Sequence, residues 1–159
     1  MTTAVASVHA SAVLVENRAV LIRGPSGAGK SRLAFDLILA GRSGQIPRTL
    51  LVGDDRVHLD ASKGQLVVRP APELAGLIEI RGLGIRRCDF TDEAIVGLVV
   101  DLSAADAERL PPPEALVARV FGVLIPRIPV AHDYAALPLV VAALMTTESS
   151  VHADLRMIV

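Results

Sequence analysis

Short apolar runs separated by polar or glycine-rich breaks make up the opening part of the chain. Residues 12–15 and 19–22 are apolar and flank three polar residues, which predicts two strands joined by a tight turn. The second run leads into a glycine-rich segment, residues 24–31, and then into a mainly apolar stretch that predicts a helix ending at Gly41. Another strand is predicted at residues 49–52. Strand, glycine-rich loop, helix and strand form a βαβ-type unit.

The remainder of the chain predicts more strands than helices. Residues 57–59 and 66–68 flank a short segment ending in Lys63 and Gly64, which is typical of a β-hairpin. The other predicted elements are a strand broken by glycines at 77–85, a buried strand at 95–102, helices at 103–109 and 114–121, an extended segment at 123–130 and a final helix at 135–146 with Pro138 in its first turn. The prediction is an α/β fold whose mixed sheet is rich in hairpins. A length of 159 residues suits one domain, residues 1–159.

Composition and charge exclude several classes of function. A net charge of −1, with one Tyr, three Phe and no Trp, argues against a surface that binds nucleic acid. The longest strongly apolar stretch, residues 135–145, is far shorter than the roughly 20 residues that cross a bilayer. The single cysteine, Cys88, has no disulfide partner within the chain, which fits a reducing compartment. We therefore expect a cytoplasmic protein without membrane or nucleic-acid partners.

The strongest chemical signal lies between the second predicted strand and the helix. Four residues there fit the pattern G-x-x-x-x-G-K-[ST] of a phosphate-binding loop, or P-loop. Its glycines let successive backbone N–H groups face an anion, and the N-terminus of the following helix adds partial positive charge. The lysine of such a loop contacts the terminal phosphates of a nucleotide, and its serine hydroxyl ligates Mg²⁺. The predicted phosphate contacts come from Gly24, Ser26, Gly27, Ala28, Gly29, Lys30 and Ser31.

A P-loop also requires a carboxylate close to its metal ion, usually at the end of a neighbouring strand. Asp54 and Asp101 both follow apolar runs, and the pattern alone leaves both open. Asp54 differs in being followed by Asp55, so one carboxylate can serve the metal ion while the other accepts a proton. An Asp-Asp turn without a catalytic role is the structural alternative.

Several motifs follow one another as they do in HPr kinase/phosphorylase. They are His9, the P-loop, the segment Leu-Val-Gly-Asp-Asp-Arg-Val at 51–57 and the segment Glu-Ile-Arg-Gly-Leu-Gly-Ile at 79–85. The last segment is the more discriminating one, because P-loops occur in many families. Over residues 7–90 the chain therefore resembles the catalytic domain of that family. The resemblance implies a P-loop domain of the HPr kinase and phosphoenolpyruvate carboxykinase type.

The resemblance also implies an activity, namely that of a protein serine kinase whose reaction inorganic phosphate can reverse. In that family ATP or pyrophosphate, with Mg²⁺, donates a phosphoryl group to a serine of the phosphocarrier protein HPr. Carried over by position, Lys30 holds the phosphates, Ser31 binds Mg²⁺ and Asp54 is the general base. The remaining implied roles are a metal-side position for Asp55 and Glu79, a place near the reacting phosphate for His9, and a phosphate or structural contact for Arg81. A homo-oligomer is expected, since the family forms hexamers through this domain.

The chain also departs from the family, in ways that keep other functions open. It resembles a short, stand-alone form without the N-terminal regulatory domain, and Gly53 stands where the family usually has Ala, which is a mild change. An arginine-containing loop late in the family's domain has no clear equivalent in residues 128–134, and Arg127 is the nearest substitute. The alternatives are a small-molecule kinase or NTPase with Asp101 as the metal-side acid, and a nucleotide-sensing interaction module.

Overall fold

The computed structural model describes residues 5–147, which form one curled sheet of nine strands, a separate two-stranded hairpin and two α-helices. The strands are β1 (Val5–Val8), β2 (Ser11–Val15), β3 (Arg18–Arg23), β4 (Thr49–Gly53), β5 (Val57–Ser62), β6 (Gln65–Pro70), β7 (Leu77–Ile80), β8 (Gly84–Arg87), β9 (Ala94–Leu102), β10 (Val117–Val120) and β11 (Val123–Val130). The helices are α1 (Lys30–Arg42) and α2 (Ala136–Met145). Neither helix has the length and apolar character that a membrane-spanning helix needs, within residues 5–147.

The long strand β9 organises the sheet, whose order is β1-β5-β6-β9-β3-β2-β4. The first residues of β9 pair antiparallel with β6, while its last four residues pair in parallel with β11. Strand β3 lies in parallel along the other side of β9. One nine-residue strand therefore joins the hairpin-rich half of the sheet to the half that carries the P-loop.

Both faces of the central strands are buried, which explains why their sequences are continuously apolar. Strand β3 shows the two faces in alternation: Val20 and Ile22 pack beneath the helices, whereas Ala19 and Leu21 belong to a second core under the hairpins. Helix α1 contributes Leu33, Ala34 and Leu37 to the first core. The helix and the sheet thus hold the start of α1 rigidly against the end of β3.

Four parallel strands end at the edge of the sheet where the P-loop lies. Strand β3 is parallel to β9, which is parallel to β11, and β4 runs in the same direction because both β3 and β4 are antiparallel to β2. The P-loop follows β3, and Asp54 follows β4. Ligands of open α/β sheets bind beyond the carboxyl ends of such strands. This topology places the two strongest chemical signals of the sequence side by side.

Most of the predicted elements are present. The turn between β2 and β3, the helix after the P-loop, the hairpin β5–β6, the buried strand β9 and the final helix all occur close to their predicted bounds. Pro138 is the third residue of α2 and so falls in its first turn, as predicted. The hairpin β5–β6 turns at Lys63 and Gly64, both with positive φ, which is the geometry of a two-residue hairpin turn.

The two predicted helices in the second half are wrong. Residues 103–109 form a loop, in which Ser103 has a φ of 55° and Asp106 binds Arg127. Residues 114–121 begin with a single 3₁₀ turn and continue as β10, which pairs with β11 through a turn at Phe121 and Gly122. The apolar pattern of this segment fits both the period of a helix and the period of a strand, and pairing with β11 selects the strand. Residues 77–85 are also not one interrupted strand but the hairpin β7–β8.

Candidate phosphate-binding site

The P-loop connects the end of β3 to the start of α1. Gly27 and Gly29 have φ values of 82° and 97°, in the left-handed region that residues with a Cβ rarely adopt. The N–H of Ala28 donates a hydrogen bond of 3.0 Å to the carbonyl of Pro25, which closes the turn. The first glycine, Gly24, packs against β9, because a Cβ there would lie 3.0 Å from Leu102 Cβ. The loop is therefore tightly curled and braced by the sheet.

Lys30 is the first residue of α1, and its ammonium turns back over the loop. Its Nζ donates to the carbonyl oxygens of Gly24, at 2.9 Å, and Pro25, at 3.1 Å. The charge therefore stands at the N-terminus of the helix, where the helix dipole is also positive. An anion at the loop would meet both the ammonium and the first turn of α1.

Asp54 is the buried carboxylate of the site, with only 3% of its surface exposed. Its Oδ1 accepts hydrogen bonds of 2.7 Å from the Ser31 hydroxyl and from the Ser11 hydroxyl. Its Oδ2 accepts a bond of 2.9 Å from the backbone N–H of Glu79. Three donors from three different elements therefore fix a carboxylate next to the P-loop serine.

Ser11 was not predicted from the sequence. It is completely buried at the start of β2, and its contact with Asp54 spans 43 positions of the chain. The one available signal was a hydroxyl residue opening an otherwise apolar strand, which is too common to be diagnostic. Arg56, two residues after Asp54, was also missed as an individual residue, although it lies within the 51–57 motif.

The other predicted acids, Asp55 and Glu79, have exposed side chains. Asp55 has a φ of 67°, so the chain turns sharply immediately after Asp54. Glu79 lies on β7 and contacts Asp54 through its backbone. Arg81, on the turn that joins β7 to β8, is exposed. Within residues 5–147, no three His, Cys, Asp or Glu side chains are grouped as a metal site.

His9 lies between β1 and β2 and is exposed. Its Nε2 is 3.0 Å from an Nη2 atom of Arg56, and the other Nη of Arg56 donates to the Ser7 hydroxyl at 3.1 Å. His9 thus borders the site on the Asp54 side, two residues before Ser11. The residues that the sequence singled out, from His9 through the P-loop to Glu79, are brought to one edge of the molecule.

Asp101 occupies a different environment, although the sequence left it open as the metal-side acid. Both of its oxygens are bound by Arg23, at 2.7 Å and 2.8 Å, and Oδ2 also accepts from Arg127 Nε at 2.6 Å. Burial by itself raises the pKa of Asp101, but the hydrogen bonds and charges of the two arginines outweigh it and hold the pKa below its usual range. The Ser31 hydroxyl is bound by Asp54 instead. This geometry favours Asp54 as the acid of the P-loop.

Arg127 is the other half of this ion-pair network. Its two Nη atoms bind Asp106 at 2.7 Å and 3.0 Å, and Nη1 also donates to the carbonyl of Ala115. The Asp106 hydrogen bond is the main reason that the pKa of Arg127 is raised. Its donors are engaged by these partners, so Arg127 ties the loop after β9 to β11.

Gly53 explains one departure from the resembled family. A Cβ at this position would lie 2.7 Å from Val57 Cγ1 and 3.1 Å from the backbone Cα of Pro70. The glycine is therefore linked to the close approach of β4 to β5 and β6 immediately before Asp54.

Replacing Gly53 with Ala is expected to lower the free energy of unfolding by about 1–3 kcal/mol, because the new methyl group overpacks this contact. Urea unfolding measures the change. In a double-mutant cycle with Val57→Ala, the two changes together should cost less than the sum of their separate costs. Strictly additive costs would show that the Val57 contact is not what excludes the methyl group.

Fold and site together define a P-loop protein whose loop serine is held by a buried carboxylate. The sequence model of the protein family described as the HPr serine kinase C-terminal domain matches residues 2–150 of this chain. The chain belongs to this family. The match extends well beyond residues 7–90, which carry the motifs recognised in the sequence.

Individual relatives agree with the family. HPr kinase/phosphorylase of Mycoplasma mycoides is 42% identical over 77 residues, which are 48% of this chain and 22% of that protein. The corresponding protein of Streptococcus thermophilus is 44% identical over 80 residues, 50% of this chain and 24% of its own length. The aligned part is thus about a quarter of these relatives.

A solved structure resembles the whole fold. The HPr(Ser) kinase/phosphatase from Coxiella burnetii superimposes with a TM-score of 0.69 and 25% identity, covering 97% of this chain and 99% of that one. The mixed α/β fold with a curled sheet is therefore that of an HPr kinase domain.

Proposed function

We propose that this protein is a phosphotransferase that moves a phosphoryl group from ATP or pyrophosphate to a serine of an HPr-like phosphocarrier protein, with phosphorolysis as the reverse reaction. The observation that carries the proposal is the 2.7 Å hydrogen bond between the P-loop hydroxyl of Ser31 and the buried carboxylate of Asp54. Family membership supports the same chemistry.

The chain fits a nucleotide with Mg²⁺. Left-handed glycines curl the loop, Lys30 places its ammonium at the helix N-terminus, and the Asp54 carboxylate orients the Ser31 hydroxyl. Bound Mg²⁺ and ATP would supply the activated phosphoryl group and neutralise its charge. Mg²⁺ in such sites usually takes one or two protein ligands and completes its shell with phosphate oxygens and water. The Ser31 hydroxyl with its neighbouring carboxylate therefore suits this ion.

In this proposal each predicted site residue has one task. Lys30 binds the phosphates, together with the backbone of residues 24–29, and Ser31 is the metal ligand. Asp54 accepts the proton of the acceptor serine, and His9 lies beside the reacting phosphate. Asp55 and Glu79 support the metal ion from the exposed side.

One observation favours a second assignment of the base. The Asp54 carboxylate already accepts three hydrogen bonds, out of about four that its oxygens can take. Asp55 is exposed and directly adjacent, so it can reach an acceptor hydroxyl without losing a partner in the fold. In this assignment Asp54 orients Ser31 while Asp55 accepts the proton. Comparison of Asp54→Asn with Asp55→Asn separates the two, because only the base variant loses the acid limb of the pH–rate profile.

The family resemblance also leads us to propose a cytoplasmic homo-oligomer, with a hexamer as its expected form. Light scattering on the purified protein gives the mass directly. A monomer at micromolar concentration would contradict the hexamer without affecting the proposed chemistry.

The activity is tested by incubating the protein with Mg²⁺, labelled ATP and HPr from the same organism. We expect label on a serine of HPr with wild-type protein and none with Lys30→Ala, because the lysine contacts the transferred phosphate. Arg119→Ala, which removes a positive charge from the exposed face of β10, is the matched control. If the protein binds ATP but HPr is not labelled, HPr is not the acceptor. The remaining functions are then a nucleotide-sensing module or a kinase with a different substrate.

A further inference from the structure

Ser11 is a completely buried hydroxyl residue to which the proposed chemistry assigns no task. It is the first residue of β2, and its Oγ donates to Asp54 Oδ1 at 2.7 Å. The residues on either side, Ala10 and Ala12, are also completely buried but carry no polar side-chain atom. A buried hydroxyl costs free energy unless it is hydrogen-bonded, and here its partner is the carboxylate of the candidate site. The hydroxyl of Ser11 is therefore a candidate part of that site.

The backbone between β2 and β4 is irregular at the point that makes this contact possible. Val13 lies opposite Leu51, whereas Ala12 lies opposite Gly53, so β4 contains one extra residue. Continued past the end of β4, the shifted register places Ser11 opposite the next residue, which is the buried aspartate. Regular pairing would place an alanine there. Irregularities of this kind next to active sites re-aim side chains, and this one brings the serine hydroxyl to the carboxylate.

The two oxygens of Asp54 accept different numbers of hydrogen bonds. Oδ1 accepts two, from the hydroxyls of Ser11 and Ser31, both at 2.7 Å. Oδ2 accepts one, from the backbone N–H of Glu79. Since each carboxylate oxygen offers about two lone-pair positions, Oδ1 is filled and Oδ2 keeps one position free. Without the Ser11 hydroxyl, each oxygen would have one donor and one free position.

The orientation of the carboxylate matters because the terminal torsion of an aspartate is broad and roughly two-fold. A carboxylate that rotated would present either oxygen to Ser31. Two hydroxyl donors on one oxygen and a backbone donor on the other define a single orientation of Asp54. Ser11 is thus expected to influence the chemical step more than nucleotide binding, whose contacts are with the loop and Lys30.

We propose that Ser11 is a positioning residue: by filling the second position of Oδ1, it makes Oδ2 the oxygen of Asp54 that accepts the proton of the acceptor serine. The inference rests on the proposed function and on Asp54 as its base. In this step the O–H bond of the acceptor breaks and its proton passes to Oδ2. The acceptor oxygen forms the new bond to phosphorus as the bond from phosphorus to the leaving oxygen of the donor breaks. Oδ1 keeps the Ser31 hydroxyl oriented throughout.

Replacing Ser11 with Ala removes the hydroxyl without changing any charge. We expect kcat for HPr phosphorylation to fall about tenfold, while KM for ATP stays within about twofold of wild type. The acid limb of the pH–rate profile should move to higher pH, because a carboxylate with one donor fewer takes up a proton more readily. Ser11→Thr keeps a hydroxyl and should restore both. Ser43→Ala is the matched control, since it removes a hydroxyl that donates to a backbone carbonyl, and it should behave as wild type.

A second measurement needs no partner protein. The N–H of Glu79 donates to Oδ2, so its NMR signal reports the ionisation of the Asp54 carboxyl in the whole chain. The pH-dependent change of this signal is attributed to Asp54 by its loss in Asp54→Asn. We expect the change at higher pH in Ser11→Ala than in the wild type or Ser11→Thr. The substitution leaves in place the charged and titratable side chains of the segments that meet at Asp54, namely His9, Lys30, Asp55, Arg56 and Glu79.

The outcomes separate this proposal from the kinase proposal. A Ser11→Ala kcat within about twofold of wild type, or an acid limb that does not move, would overturn the positioning role even if HPr is phosphorylated normally. A loss that Ser11→Thr does not restore, with thermal unfolding of both variants unchanged, would overturn it as well. If wild-type protein does not label HPr, the kinase proposal fails and the Glu79 signal decides: a change at higher pH in Ser11→Ala would sustain the control of Asp54 by Ser11, and an unshifted change would refute it.

Discussion

Replacing Asp54 with Asn is expected to lower phosphoryl transfer by about 10²–10⁴-fold, the range for loss of a positioned acid–base group. The carboxylate is buried, and it is the group that holds the P-loop hydroxyl at 2.7 Å. Both assignments of the base predict a large loss, since Asp54 either accepts the proton or orients the metal ligand. The rate of HPr phosphorylation under saturating Mg²⁺ and ATP measures it.

Two controls make the result specific. An amide at position 54 places an NH₂ group or a carbonyl against the Glu79 N–H, so thermal unfolding must accompany the assay. Nucleotide binding should be retained within a few fold, because the loop backbone and Lys30 remain. A normal rate in folded Asp54→Asn protein would remove this residue from the mechanism. Asp101→Asn should leave the rate largely unchanged if folded, and a selective loss there would restore the small-molecule-kinase alternative.

Replacing Asp101 with Asn is expected to destabilise the protein by about 3 kcal/mol at neutral pH, because it leaves two partly buried arginines short of their counter-charge. The side chains of Asp101 and Arg127 are only 16% and 14% exposed. Asp106→Asn is the matched control, since it removes a carboxylate from the same arginine at a position that is 52% exposed. An exposed pair contributes about 0–1 kcal/mol. If the two variants lowered the free energy of unfolding in urea equally, the difference in burial between Asp101 and Asp106 would not explain their contributions.

The same ion pair gives a pH dependence of known sign. The pKa of Asp101 is lower in the folded protein than in the unfolded chain, so the unfolded chain binds more protons at acid pH. Its contribution is therefore complete above the unfolded value of about 4 and is lost as the pH falls through the lower folded value. The difference in stability between wild type and Asp101→Asn should be constant from about pH 5 upward and shrink below about pH 4. A difference that grows on acidification would contradict this account.

The P-loop and its surroundings were predictable because their signals are local. The spacing of Gly24, Gly29, Lys30 and Ser31, with apolar runs on both sides, specifies strand, loop and helix within 30 positions or so. The hairpin β5–β6 was equally readable from Lys63 and Gly64, whose positive φ values the turn needs.

The missed features depend on partners that are distant in sequence. Residues 117–120 form a strand because β11 pairs with them, and residues 103–109 stay irregular because Asp106 binds Arg127. The choice between Asp54 and Asp101 was undecidable from pattern, since both end apolar strands. The choice depends on which carboxylate accepts the Ser31 hydrogen bond and which one pairs with the arginines. The order of the strands in the sheet decides both contacts.

The Asp54 carboxylate has a further consequence for how the protein acquires its activity. Its three donors come from β2, α1 and β7, at separations of 43, 23 and 25 positions. Closing loops of this size is entropically costly and slow compared with forming the helix or a hairpin. The carboxylate and both hydroxyl donors lie within residues 11–54, but the backbone donor of Glu79 does not. The carboxylate therefore has its full set of donors only when the chain as far as β7 has been synthesised and packed. A chain that has folded only as far as β4 lacks the Glu79 donor, so the final orientation of the carboxylate is acquired late in synthesis.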